Sequence, residues 1–298
     1  MKLERRRAYN PKVIWGKQEE KLLLTEIKKN GFNADNLSVL FPNRTLPSIR
    51  SKVRKLRIKH DFFGRSYRDK KGEFTLRISK VANPKIIFEA YAGAGHQTFK
   101  WLQKCNTVFA SDIMKAKLKQ FKSEAIKEGF NLKGKSGRWF LFERNEKKVF
   151  YFTGDAIEAA ADLNSNEIKV DLIDLDTCGS TMPTLPYFLL MLKPKHLVIT
   201  HGEFHSMRFN REDVLRRIFV HRDINISALP LSVEQMSKEL DKAVKTAALR
   251  AHNETNKSFW LILKKETWLG EKFHGMLRRY YKVTKPSATA DCLNFLSQ

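Results

Sequence analysis

No stretch of the 298-residue chain approaches eighteen consecutive apolar residues, so the sequence offers no helix able to cross a membrane. The opening MKLERRRAYN is charged but leads into no apolar segment, which excludes reading it as a secretory signal. Cysteine is scarce: Cys105, Cys178 and Cys292 are odd in number and lack metal-ligand spacing. A disulfide framework is thereby excluded, and a reduced, cytoplasmic setting is expected. Internal repeats and low-complexity segments are missing as well. The most telling shortage is of acid: 32 Asp and Glu stand against 56 Lys and Arg.

That excess is unevenly spread. Residues 1–80 hold 22 basic and 8 acidic side chains, a net of +14, and the remaining 218 residues carry only +10. A surface charged merely for solubility mixes its signs more evenly, so the front of the chain is expected to meet a polyanion, nucleic acid above all. With 42% hydrophobic and 11% aromatic residues there is material for a sizeable core. The length suits one large α/β domain with a small appendage.

Three short helices are expected at the front. Lys17 to Asn30 carries Leu23, Leu24 and Ile27 at helical spacing before Gly31, and Asn33 to Phe41 offers Leu37, Leu40 and Phe41 before Pro42. Thr45 can cap a third helix that tolerates Pro47 in its first turn. There Ile49, Val53 and Leu56 form one stripe, while Arg50, Lys52, Arg54, Lys55, Arg57 and Lys59 face the other way. Trp15, Glu19, Glu20, Leu23, Gly31, Leu40–Phe41 and Arg44–Thr45, followed by this basic helix, resemble the Myb/SANT-like helix-turn-helix modules over residues 13–60. The resemblance implies a DNA-binding domain over 1–62, with Arg44 and the six basic residues of the third helix on the nucleic acid. Some members of that family bind proteins, and the basic third helix favours nucleic acid here. Residues 63–83, charged and holding Gly64 and Gly72, read as a linker.

From Pro84 onward strands and helices alternate, which predicts an α/β domain over 84–298 with a doubly wound, mostly parallel, Rossmann-like sheet. Its first strand ends in Phe88-Glu89-Ala90-Tyr91-Ala92-Gly93-Ala94-Gly95-His96-Gln97-Thr98, where two glycines permit a tight turn into a helix. A dinucleotide site expects a third glycine where Thr98 stands, which weighs against NAD or FAD. Acids then recur at successive strand ends: Asp112, Asp155 beside Gly154, and Asp174 with Asp176. Gathered round one glycine turn they disfavour a phosphate and suit a ligand bearing ammonium, sulfonium, ribose diol and adenine amine. As helix caps the same acids would be ordinary. The set resembles the class I S-adenosylmethionine-dependent methyltransferases over about residues 84–204. That resemblance implies Glu89, Ala90, Gly93, Gly95 and Thr98 beside the methionine end, Asp112 on the ribose, Asp155 and Ala156 at the adenine, and Asp174 lining the pocket. It also implies that the last two strands supply the inserted antiparallel strand of this class.

The segment Val170 to Ser180 follows the fourth strand and is the expected catalytic loop. It resembles the Asp-x-Asp-Pro-aromatic-Gly-Ser loop of tRNA guanine-N2 dimethyltransferases through Asp174, Asp176, Gly179 and Ser180, and departs from it at Thr177 and Cys178. Asp176 is expected to hold an exocyclic amine, with Asp174 beside it; Cys178 is a candidate nucleophile whose commoner reading is a small buried residue. His201-Gly-Glu203-Phe-His205 reads as a substrate-facing loop more readily than as a metal cluster. The expected function is base methylation in nucleic acid, DNA slightly favoured. The alternatives are RNA guanine-N2 methylation or a DNA-binding regulator whose Rossmann-like domain senses a ligand.

Overall fold

The computed structural model describes residues 14–30, 34–59, 65–177, 179–204, 232–255, 259–269 and 276–284. Cys178, His205 and Cys292 lie outside the described residues. The chain divides into two compact units, Met1–Phe62 and Phe63–Gln298. Among the described residues no helix is long and apolar enough to cross a membrane.

The first unit holds helices α1 (Lys17–Asn30), α2 (Ala34–Leu40) and α3 (Leu46–Lys59). The stripes expected from the spacing close on one another: Leu23, Ile27, Leu37, Phe41, Ile49, Val53 and Leu56 form its buried core, with Trp15 packed on the side. Thr45 accepts from the Ser48 amide at 3.4 Å, a loose cap for α3.

The second unit begins with a helix where a linker was expected. Arg65–Ala82 forms α4, eighteen residues long. Its hidden face carries Phe74 and Ile78, but also Lys71, Thr75 and Ser79, all buried. Polar residues at i, i+4 and i+8 hide the apolar period that would mark a helix in the sequence. Gly72 within it costs only about 0.5–1 kcal/mol relative to alanine, and the Lys100 side chain lies against it.

A nine-stranded sheet then forms in the order β3-β4-β5-β2-β1-β6-β7-β9-β8. β1 (Ile86–Ala90) lies between β2 (Thr107–Asp112) and β6 (Leu172–Leu175), and β5 (Lys147–Thr153) and β7 (His196–His201) extend the parallel set on either side. β1 and β6 are almost wholly buried and are apolar apart from one acid each, Glu89 and Asp174. β9 (Met276–Thr284) inserts antiparallel between β7 and β8 (Trp260–Leu269), as the resemblance implied. At the opposite edge β3 (Asn131–Ser136) and β4 (Trp139–Arg144) form a hairpin on β5. β3 is fully exposed and was not expected. Its sequence, NLKGKS, has neither burial nor alternation to betray a strand.

Helices α5 (His96–Trp101), α6 (Lys115–Lys127), α7 (Ala156–Ser165), α8 (Leu185–Leu192) and α9 (Val233–Thr255) cover the sheet. Two clusters of buried residues line it: one joins α7, α8 and α9 to the sheet, the other α4, α5 and α6. α9 opens with a reciprocal cap, Gln235 N–H to Ser232 Oγ at 3.1 Å and Ser232 N–H to Gln235 Oε1 at 2.8 Å.

Candidate functional site

The parallel strands end together at Ala90, Asp112, Thr153 and Leu175, so the segments that follow them share one edge of the sheet. The β1–α5 turn is the centre of that edge. Gly93 and Gly95 both have left-handed backbones, φ +58° and +85°. The turn is pinned by three bonds: Gly93 N–H to Asp112 Oδ2 at 2.9 Å, Tyr151 hydroxyl to the Gly93 carbonyl at 3.0 Å, and Ala92 N–H to the Ser111 carbonyl at 2.8 Å.

The two glycines serve different ends. A Cβ at Gly95 would stand 2.4 Å from the Phe121 ring, so that glycine lets α5 pack on α6. A Cβ at Gly93 would meet nothing within 4 Å, leaving open space above the turn. Gly95→Ala is therefore expected to cost about 1–3 kcal/mol by overpacking, plus its backbone strain. Gly93→Ala is expected to leave folding nearly intact, at about 1–2 kcal/mol, and to obstruct whatever lies over the turn. Thermal melting of the two variants beside ligand-binding calorimetry checks this; equal melting temperatures would contradict the assignment.

Asp112 and Asp155 flank the turn, half-buried and exposed respectively. Both also accept backbone bonds where strand passes into helix. Asp112 accepts from Gly93 and from Met114 N–H at 2.8 Å, and Asp155 accepts from Ile157 N–H at 2.7 Å as the N-cap of α7. A carboxylate has about four acceptor sites, so these bonds leave capacity on each for a ligand hydroxyl or amine. Ala156 is buried at the first position of α7.

Beneath the turn lies a charged network that the sequence did not reveal. Asp174 is fully buried, and its Oδ2 accepts from Arg278 at 2.6 Å and Trp101 Nε1 at 2.8 Å. Arg278, also fully buried, reaches Thr200 Oγ1 at 2.6 Å. Glu89 is 1% exposed and accepts from Thr98 Oγ1 at 2.5 Å. Asp176 pairs with Lys71 of α4 and keeps a fifth of its side chain exposed. Lys71 and Arg278 carry no motif signal; only the fold brings residues 71, 174, 176 and 278 together.

These facts redistribute the expected roles. Asp174, Glu89, Thr98 and Ala90 have essentially no surface, so none can touch a ligand or substrate in this arrangement. Asp174 is withdrawn from the catalytic set and becomes the counter-ion of Arg278. Thr98 positions Glu89. Of the two acids matched to the loop motif, Asp174 and Asp176, Asp176 keeps exposed surface. Burial would raise its pKa, but Lys71 and Arg278 outweigh burial and hold the carboxyl below its ordinary range.

Glu89 goes the other way. Burial, reinforced by the Asp174 charge, pushes it up to about 8. The folded chain then keeps a proton between about pH 4.5 and 8 that the unfolded chain releases. Stability attributable to Glu89 is therefore full below about pH 4.5 and falls as the pH rises through 8. Glu89→Gln is expected to flatten that decline in melting temperature; an unaltered slope would assign it to other groups.

Two further expectations change. His201 and Glu203 are 0% and 1% exposed, so they do not form a substrate-facing surface. Their Nδ1 and Oε2 atoms stand 3.5 Å apart, and among the described residues no group of three or more possible metal ligands occurs. In the first unit Arg44 donates from Nε and Nη2 to both Glu19 oxygens, at 2.9 and 2.6 Å, and lies 4.7 Å from the Trp15 ring centroid. Lys52 pairs with Glu20. Both cations are thus engaged within the unit, Arg44 tying the α2–α3 turn to α1 and Lys52 tying α3 to α1. Arg50, Arg54 and Lys55 are exposed on α3; the side chains of Arg57 and Lys59 lie outside the described residues.

No protein-family model matches the sequence, and no curated protein matches it. Solved structures do resemble it. Trm1 from Pyrococcus horikoshii, solved with S-adenosyl-L-methionine, aligns with a TM-score of 0.55 at 18% identity, over 73% of this chain and 54% of its own. The chain thus spans about half the length of Trm1. An O-methyltransferase from Bacillus cereus in complex with SAH aligns at 0.43 and 11% identity, over 72% of this chain and 80% of its own, too distant to carry argument. At such identities the likeness is one of architecture: the sheet and its helices have the Rossmann-like methyltransferase fold.

Proposed function

We propose that the chain is an S-adenosylmethionine-dependent methyltransferase acting on a base in nucleic acid, at an exocyclic amine. The observation that carries this reading is the open face over Gly93, flanked by two acids with spare acceptor capacity, Asp112 and Asp155. Those residues fit the proposed donor: the turn against its methionine end, Asp112 on its ribose diol, Asp155 at its adenine amine. When bound, the donor supplies an electrophilic methyl group, and positioning supplies most of the acceleration.

The chain's own contribution is then to present the amine. Asp176, kept ionised by Lys71 and Arg278, accepts an N–H of the target amine and fixes its lone pair along the line of attack. A duplex substrate requires its base to be turned out of the stack. The exposed Arg54 and Lys55 on α3 support DNA, slightly, as the substrate. RNA guanine-N2 is the second reading, supported by the Asp174-x-Asp176 and Gly179-Ser180 resemblance and by the likeness in fold to Trm1.

The test is incubation of the full chain with labelled S-adenosylmethionine and, separately, duplex DNA and structured RNA, followed by mass spectrometry of the nucleosides. A methylated amino group on DNA bases is expected. Label in RNA alone would shift the reading to its second form, and label in neither would remove the enzyme assignment. Arg54→Ala with Lys55→Ala is expected to weaken binding and reduce the slope of log affinity against log salt by up to about 2. An unchanged slope would remove α3 from the interface.

A further inference from the structure

Beyond residue 80 the chain carries a net charge of +10, and +7 of it falls within residues 113–148, which hold eleven Lys and Arg against four Glu. This segment is α6, the β3–β4 hairpin and the first residues of β5, at one edge of the sheet. On α6, Lys115, Lys119 and Lys122 recur at i, i+4 and i+7, so they share one face beside the buried Phe121 and Ala125. β3, exposed along its whole length, adds Lys133 and Lys135.

The two sets meet. Lys135 is paired in register with Phe140. The ammonium groups of Lys122 and Lys135 lie 4.9 and 5.3 Å from the Phe140 ring centroid. Helix and strand cations therefore join over one aromatic into a continuous strip. The neighbouring cations are engaged internally: Lys127 with Glu124, Arg138 with Glu158, Lys148 with Glu143. Among the described residues no carboxylate pairs with the five lysines of the strip.

Two ordinary explanations are weaker. Edge lysines discourage strand addition, which covers Lys133 and Lys135 but not three lysines on a helix. A solvated helix face usually alternates in sign; this one does not. The strip also starts at the site. α6 opens three residues after Asp112, and Arg138, in the β3–β4 turn, packs against Gly154 next to Asp155.

We infer that this strip is a phosphate-binding surface of the second unit, which holds the backbone of a nucleic acid while its base is presented at the crevice. It rests on the proposed function only for the identity of the polyanion.

The test uses the full chain with Lys119→Glu, Lys122→Glu and Lys135→Glu combined, and the same positions changed to Gln in case reversal disturbs packing on Phe140. Affinity for a DNA duplex and for an RNA hairpin is measured against salt. The Gln form is expected to lose about 3 from the log–log slope, and the Glu form at least about tenfold in affinity at moderate salt, on one or both nucleic acids. Melting temperature and S-adenosylmethionine binding should stay as in the unsubstituted chain. Three reversals scattered elsewhere, Lys104→Glu, Lys193→Glu and Lys238→Glu, should cost distinctly less. A strip variant that binds with the original slope, or no worse than the scattered one, overturns the inference. If the strip result holds but no methyl is transferred, the enzyme reading fails and the surface stands. If transfer proceeds and the slope is unchanged, the surface fails alone.

Discussion

Replacing Arg278 with methionine is expected to destabilise the second unit by about 3–5 kcal/mol, the usual cost of leaving one member of a buried ion pair alone. Arg278 and Asp174 are both fully buried, 2.6 Å apart. Removing the guanidinium strands the Asp174 charge beside Glu89, whose own ionisation that charge already opposes. Asp174 keeps only the bond from Trp101, and Thr200 loses its donor. Urea or thermal unfolding reads the loss directly. The paired change Arg278→Met with Asp174→Leu should recover a large part of it, because the penalty comes from the unpaired charge and not from the missing cation. If the unfolding free energy of the single variant stays within about 0.5 kcal/mol of that of the unsubstituted chain, the Arg278–Asp174 pair does not hold the fold and the network has to be redrawn.

Asp176→Asn is the second large effect. An amide in place of the carboxylate keeps the shape but presents an N–H where the amine needs an acceptor, and methyl transfer is expected to fall about 10²–10⁴-fold. The loss should appear in kcat, with the affinities for S-adenosylmethionine and nucleic acid nearly unchanged, because the group assists an attack rather than holding either partner. Asp176 is also the partner of Lys71, so melting of the same variant is the necessary control. A fall in kcat at unchanged melting temperature supports catalysis. Undiminished transfer would reduce Asp176 to a structural counter-ion of α4.

Particular elements explain what could be read early. β2 and α8 belong to the α/β alternation expected beyond Pro84, since runs such as TVFASD and LPYFLLML are mainly apolar, bounded and local. The Ser232–Gln235 cap is local in the same way, decided by residues three apart. α4 was hidden because its buried face carries Lys71, Thr75 and Ser79: Lys71 is paired with Asp176, Thr75 bonds to Gln97 and Arg278, and Ser79 donates to the Thr75 carbonyl within the helix. β3 was hidden because an exposed edge strand needs no apolar period. At the site, the glycine turn and Asp112, Asp155 and Asp176 stood out. The sequence could not separate half-buried Asp176 from buried Asp174 two residues away, since strand alternation puts both on one face and the difference arises because β6 ends at Leu175 between them.

By itself, then, the order of residues determined the α/β alternation, the turn at Gly93–Gly95 and the surplus of positive charge, because each follows from chain-local chemistry. Tertiary structure alone decided which acids meet solvent, which cations neutralise the rest, and that lysines from a helix and an edge strand share one strip. Those outcomes depend on contacts between residues as much as 203 positions apart, and the electrostatic environment that sets each group's role exists only after such contacts form.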